Sequence, residues 1–198
     1  LKDGDIRLDN VWFVREHWER DKEIVHLDTY ICSGEGVETY TPAFVYHGFR
    51  YIRVDGISAE QATPELLTYL VMHTEMQDLG GFTCSDPVAN RIQEITKRSI
   101  LSNFHHFPTD CPHREKNGWT ADAALSCEAA LINFNPERNY REWMRNIRKA
   151  QSDAGSLPGI VPTGGWGFAW GNGPAWDCVL VYLPYFTYLW RGDATMAA

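Results

Sequence analysis

An α+β chain in two consecutive parts, β-structure first and helices after it, is what this sequence predicts, and three observations carry the prediction. Residues 8 to 56 alternate apolar with polar positions and are rich in β-branched and aromatic side chains, the pattern of half-buried strands. Leu79-Gly80-Gly81-Phe82 then interrupts the chain with two glycines, a natural junction between folding units. From Ser85 onward the apolar spacing becomes that of a helix with about 3.6 residues per turn.

In the first part, Val11-Trp12-Phe13-Val14, the run from Ile24 to Cys32 and the run from Phe44 to Val54 read as strands. Gly34-Glu35-Gly36 and Asp55-Gly56 supply turns, because glycine enters the left-handed region without a Cβ clash. Residues 65 to 76 carry conflicting signals: their position favours a final strand while Leu, Met and Glu favour helix, and strand is the assignment made here. In the second part, Ser85-Asp86-Pro87 offers an N-cap and a proline in the first turn. Val88, Ile92, Ile95, Leu101 and Phe104 then form an apolar stripe on a helix lasting to about His105. A second helix covers the Ala- and Leu-rich run from Ala121 to Leu131, with Asn133 closing it. Asn135-Pro136 opens a third through about Gln151, with Tyr140, Trp143, Met144 and Ile147 on one face. Gly173-Pro174 opens a fourth, Ala175 to about Trp190, in which Pro184 removes one backbone hydrogen bond and kinks the helix. Helices joined by loops of Gly, Pro and Trp suggest a helical barrel or bundle.

At 198 residues the chain accommodates one domain with a good core, or the joined parts of two. It opens on Leu1-Lys2-Asp3-Gly4 and closes with a helix-ending Gly192 and a helix-opening Asp193 near its last residue. It therefore reads as an internal piece of a longer polypeptide. The net charge of -8 argues against nucleic acid and against an anionic membrane as partners, since both require clustered Lys and Arg. The five cysteines are odd in number, widely spaced and without a CxxC pair, which is neither a disulfide framework nor a zinc motif. Eight tryptophans exceed what a core of this size uses, and exposed indoles stack on the apolar faces of sugar rings.

Chemistry concentrates in Thr109-Asp-Cys-Pro-His-Arg-Glu-Lys-Asn-Gly-Trp-Thr-Ala-Asp122, which holds Asp110, Glu115 and Asp122 beside Trp119. Pro112 and Gly118 make its first part a loop that aims carboxylates, while Trp119 and Asp122 lie three apart at a helix start and share a face. Carboxyls beside an indole suit glycoside hydrolysis, where one acid stays protonated near neutral pH because neighbouring carboxylates and an apolar wall raise its pKa. Arg114 opposes that shift, so spacing alone does not say which acid is neutral. The structural alternative is that acids near helix starts satisfy backbone N–H groups and the dipole. His105, His106, Asp110 and His113 offer a metal-ligand set for a metal-dependent hydrolase with Glu115 as base, but the adjacent histidines His105 and His106 at a helix end point apart and match no compact ligand spacing. Cys111 beside His113 is a weak nucleophile-base pair, and a buried structural thiol is the favoured role. Downstream, the Gly-rich loop from Gly164 to Asp177 carries Trp166, Trp170 and Trp176, which suit either the walls of a pyranose pocket or a plug at the end of a bundle.

The string Pro108-Thr-Asp-Cys-Pro-His-Arg-Glu-Lys-Asn-Gly-Trp-Thr-Ala-Asp122 closely resembles the signature of the bacterial α-L-rhamnosidases. Tyr46-His-Gly-Phe-Arg-Tyr-Ile-Arg-Val54 resembles the strand before their catalytic barrel, Gly81-Phe-Thr-Cys-Ser-Asp86 the start of that barrel, and Gly173-Pro-Ala-Trp-Asp177 and Tyr188-Leu-Trp-Arg-Gly-Asp193 later barrel segments. The resemblance implies an α+β multidomain fragment: the C-terminal part of a β-sandwich domain over 1–78, a linker over 79–84, and the first helices of an (α/α)6 barrel over 85–198. It implies an inverting hydrolase that removes terminal α-L-rhamnose from glycosides or oligosaccharides, with no metal or organic cofactor. Glu115 falls on the general-acid position, Asp110, Arg114 and Asp122 on positions that grip rhamnose hydroxyls, and Trp119 and Trp176 on aromatic walls. The general base of the family lies far downstream, so the resemblance implies that the piece alone is inactive. A non-catalytic carbohydrate-binding protein is the alternative from a different class.

Overall fold

The computed structural model describes residues 6–7, 29–50, 52–171 and 173–197. It divides into two compact units, Leu1–Val71 and Met72–Ala198.

In the first unit, strand β1 (Ile6–Arg7) pairs antiparallel with β2 (Arg53–Val54), Ile6 opposite Val54 and Arg7 opposite Arg53. Ser33 to Gly36 turns the chain, with Gly34 and Gly36 at φ of 83° and 76°, where a Cβ would be strained. Glu38 closes this turn by accepting from the Tyr30 hydroxyl at 2.6 Å and the Ser33 hydroxyl at 2.7 Å, while Tyr30 stacks on Tyr40. The strand readings at Val11–Val14 and over 24–28 lie outside the described residues. The others shrink: 29–32 and 44–50 are not strands, and among the described residues of the expected run ending at Val54 only Arg53–Val54 is paired. Alternation says which face a residue would bury, but a strand also requires a neighbour to complete its ladder.

The expected strand over 65–76 is overturned. Thr63-Pro64 starts a 3-10 turn, Pro64–Leu66, and the chain then runs irregularly with Leu66, Leu67, Tyr69, Leu70, Val71 and Met72 all exposed. Proline at the first position of a turn fixes φ and supplies no donor, which favours turn over ladder.

The second unit is helical: α1 (Pro87–Ser102), α2 (Thr120–Asn133), α3 (Glu137–Lys149), α4 (Pro174–Asp177) and α5 (Val179–Arg191). Strands β3 (Phe104–His105) and β4 (Phe107–Pro108) form a tight hairpin between α1 and α2, turning at His106 with φ of 73°. Asp86 caps α1, its carboxylate accepting the Val88 N–H at 2.8 Å. That helix ends three residues before His105, because Asn103 terminates it and the hairpin begins. Its stripe of Val88, Ile92 and Ile95 is exposed, whereas the matching stripe of α3, Tyr140, Trp143, Met144 and Ile147, is wholly buried. Periodicity identifies an apolar face in both helices, but burial depends on what lies opposite.

Helix α2 is the centre of the core. Ala123, Ala124, Cys127 and Ala130 give it a flat face against which α5 packs with Val179 and Leu183. Arg191 at the end of α5 donates to the carbonyls of Leu131 and Phe134, satisfying buried carbonyls at the C-terminal end of α2. The helix expected over 175–190 is divided at Cys178 into α4 and α5, while Pro184 sits buried inside a continuous α5. The chain around the glycine pair is tied down: Leu79 N–H donates to Asn133 O, Asn135 N–H to Gln77 O, and Lys97 binds both Asp78 and the Gly80 carbonyl.

Candidate active site

The loop carrying the acids rests on three supports. Thr109, buried behind the hairpin, donates its N–H to Asn103 O at 2.7 Å and its hydroxyl to the same carbonyl at 3.2 Å. Asp110 and Asn117 then close the loop on itself: Asp110 N–H reaches Asn117 O at 3.0 Å, and Asn117 N–H returns to Asp110 Oδ1 at 2.9 Å. Finally, the segment entering α2 pairs with residues 159–161. Val161 N–H donates to Gly118 O and Thr120 N–H to Gly159 O, both at 2.9 Å, with Trp119 opposite Ile160.

Three glycines are required by space. A Cβ on Gly118 would lie 2.2 Å from Val161 O, one on Gly159 2.1 Å from Gly171 O, and one on Gly171 2.4 Å from Cζ3 of Trp119. Gly118 and Gly159 let two stretches of backbone meet, and Gly171 lets the Gly-rich loop lie against the indole.

On this frame Glu115 projects its carboxylate outward, and its Oε2 accepts the indole N–H of Trp119 at 2.8 Å. The Glu115 backbone N–H is held by Cys111 Sγ at 3.3 Å, and Cys111 itself is buried. Lys116, between Glu115 and Trp119 in the chain, has a φ of 55°, in the left-handed region. Asp122 stands in the first turn of α2. Desolvation pushes its carboxyl above the ordinary value, the charge of Asp110 adds to that push, its own backbone N–H opposes it, and the charge of Glu115 adds a smaller push. The upward shift that spacing could not assign thus falls on Asp122. Arg114 is half-buried beside His113, whose pKa is lowered by burial first and by the Arg114 charge second.

Trp176, on α4, approaches Trp119 with ring centroids 6.3 Å apart and planes at 59°. Its own indole nitrogen is buried and has no hydrogen-bond partner among the described residues. Trp166 and Trp170 pack edge to face on each other at 6.0 Å. The structure therefore brings Asp110, Glu115, Trp119, Asp122 and Trp176 into one neighbourhood. Among the described residues, no group of three or more His, Cys, Asp or Glu side chains is placed to hold a metal ion, so His105, Asp110 and His113 form no such set. Burial lowers the His105 pKa, and its ring lies 3.2 Å from Ser102 O. A groove of about 510 Å3 in the first unit is lined by Val54, Ile57, Pro64 and Leu67 among others, none of them titratable, and offers no comparable chemistry. Sequence reasoning missed Gly118, Gly159 and Gly171 as packing glycines and Cys111 as the support of Glu115. A Gly beside a turn signals the first of these, whereas Gly159 and Gly171 meet partners that no local pattern reveals.

Comparison with known proteins identifies the family of the chain. Residues 77–198 match the family model for the bacterial alpha-L-rhamnosidase 6 hairpin glycosidase domain, and residues 2–73 that for the bacterial alpha-L-rhamnosidase concanavalin-like domain. An alpha-L-rhamnosidase of Formosa agariphila is 35% identical over 173 residues, 83% of this chain and 18% of the relative. Among solved structures, the alpha-L-rhamnosidase from Dictyoglumus thermophilum is 36% identical with a TM-score of 0.76, over 85% of this chain and 19% of that one. The Streptomyces avermitilis alpha-L-rhamnosidase, crystallised with L-rhamnose, is 32% identical with a TM-score of 0.77, over 85% of this chain and 16% of that one. The chain thus spans about a fifth of the length of the relatives it matches. The acid loop sits at the start of a six-hairpin glycosidase domain that follows concanavalin-like sequence, and this chain belongs to the bacterial α-L-rhamnosidase family.

Proposed function

We propose that this chain supplies the proton-donor half of an inverting α-L-rhamnosidase, with Glu115 as the donor. The observation that carries this reading is the Trp119 indole N–H held on Glu115 Oε2 at 2.8 Å, which orients the carboxyl beside Asp110 and Asp122. In the reaction the bond between the anomeric carbon and the glycosidic oxygen breaks, its electron pair stays on the leaving oxygen, and that oxygen takes the proton of Glu115. Water attacks the anomeric carbon from the opposite face and passes its proton to a second carboxylate. In this reading that base lies outside the sequence, so these residues by themselves do not turn over.

Asp110, Arg114 and Asp122 bind the hydroxyls of a rhamnose-containing glycoside or oligosaccharide. Asp110 offers Oδ2 to a hydroxyl, since Oδ1 is engaged by Asn117, and Asp122, whose carboxyl burial holds above its ordinary value, accepts from another. Trp119 and Trp176 cover the apolar side of the ring and its methyl group. The β-rich part over 1–78 and the linker over 79–84 precede this catalytic part, which begins at 85. The chemistry uses no metal or organic cofactor.

The test is an assay of alkyl α-L-rhamnosides by the intact reading frame carrying this chain. Glu115→Gln should lower kcat by about 10²- to 10⁴-fold, the usual worth of a positioned acid. Unchanged turnover would remove Glu115 from the role, and rhamnose binding without turnover by the wild-type frame would favour a carbohydrate-binding protein.

A further inference from the structure

We infer that Trp119 is a positioning residue for the acid as well as a pocket wall: its indole N–H selects which oxygen of Glu115 carries the transferable proton. The inference rests on the reading of Glu115 as proton donor. An indole nitrogen only donates, so the oxygen it binds must present a lone pair. A hydroxyl oxygen accepts too, but a carbonyl oxygen accepts better, so with Oε2 accepting from Trp119 at 2.8 Å the indole biases the proton of the neutral carboxyl to Oε1, the oxygen that then faces the leaving group. Without that N–H the two oxygens are equivalent and the carboxyl turns about its last bond.

The same bond strengthens as the reaction proceeds. Before proton transfer the indole meets a neutral carbonyl oxygen, and afterwards a carboxylate, to which hydrogen bonds are about twice as strong. An interaction that grows toward the transition state raises kcat rather than binding alone.

Both ends of the bond are fixed by their surroundings. On the Trp119 side, the backbone N–H donates to Asn117 O at 3.0 Å and the residue lies opposite Ile160. The far edge of the ring is backed by Gly171, whose missing Cβ would stand 2.4 Å from Cζ3 and 3.1 Å from Cε3. Gly171 is backed in turn by Gly159, so the Gly-rich loop braces the indole against the acid loop. On the Glu115 side, Cys111 Sγ accepts the backbone N–H at 3.3 Å and the Asp110–Asn117 pair closes the loop.

Leaving-group dependence tests the inference, because a nitrophenolate departs with little help from an acid whereas an alkoxide requires a full proton. In the intact reading frame, Trp119→Phe keeps a ring in the wall and removes the N–H. It should lower kcat on methyl α-L-rhamnoside by about 10- to 100-fold more than on 4-nitrophenyl α-L-rhamnoside, the usual worth of a hydrogen bond to a charged group. Any rise in KM from the smaller wall should be the same for both substrates. Gly171→Ala pushes the indole away with its N–H intact and should skew the two substrates in the same direction. Glu115→Gln serves as the reference and must show the skew most strongly. Equal losses on both substrates in Trp119→Phe and Gly171→Ala, with the skew present in Glu115→Gln, would overturn the inference and leave the acid assignment standing. No skew in Glu115→Gln would overturn the acid assignment itself.

Discussion

Gly118→Ala offers a direct probe of the frame that holds the acids, since its effect can be worked out atom by atom. The added Cβ would stand 2.2 Å from Val161 O, 3.1 Å from Val161 C and 3.1 Å from the Phe107 ring. None of the first two can swing aside as a side-chain end would, because both belong to backbone. Val161 O also accepts the buried Trp143 indole N–H at 2.8 Å, and Val161 N–H donates to Gly118 O at 2.9 Å. Separating the two strands therefore strains both bonds. Overpacking costs about 1–3 kcal/mol and weakening a hydrogen bond adds about 1 kcal/mol, so the substitution should destabilise the helical unit by about 2–4 kcal/mol. Urea unfolding followed by circular dichroism at 222 nm reads that unit, which holds the α-helices. Gly81→Ala is the control, since nothing lies within 4 Å of its added Cβ. A Gly118→Ala midpoint indistinguishable from that of Gly81→Ala would refute the packing argument.

Two further outcomes follow from the same geometry. Asp122 is held above its ordinary value by desolvation first, so its contribution to stability is fully present below the unfolded value of 3.8 and is lost as pH rises through its folded value. Asp122→Asn should therefore raise the melting temperature at pH 7 and raise it less at pH 4; a gain equal at both pH values, or a loss at pH 7, would contradict this. Trp143→Phe leaves the Val161 carbonyl without its indole donor in a site where Trp143 is 1% exposed. It should cost about 2–4 kcal/mol in the same urea experiment, and a loss below about 0.5 kcal/mol would contradict the assignment.

What the sequence revealed and what it hid divide along physical lines. Asp86 capping α1 and the buried stripe of α3 are local consequences of residue order, and both were legible. The stripe of α1 was equally legible as a pattern, yet Val88, Ile92 and Ile95 are exposed, because burial is decided by a partner that spacing does not contain. Residues 65 to 76 failed for a related reason: Pro64 sets a turn, and strand propensity without a neighbouring ladder produced no strand. In the site, Asp110, Glu115, Trp119 and Asp122 stood close enough in sequence to be gathered as one cluster, whereas Trp176, remote in sequence, was tied to them only by the family resemblance. The bond from Trp119 to Glu115 was not legible, since spacing does not contain the loop conformation between them, with Lys116 in the left-handed region. The brace formed by Gly159 and Gly171 was hidden as well, because each glycine is filled by backbone or an indole remote in sequence.

If residue 115 faces the glycosidic oxygen, a crystal structure of the Glu115→Gln reading frame with an uncleaved alkyl α-L-rhamnoside will show it. The side-chain amide of residue 115 should lie within about 2.6–3.2 Å of the oxygen linking sugar to aglycone, with Trp119 still beside it. A complex in which the Asp122 carboxyl occupies that position, and residue 115 stands beyond hydrogen-bond reach, would contradict the account.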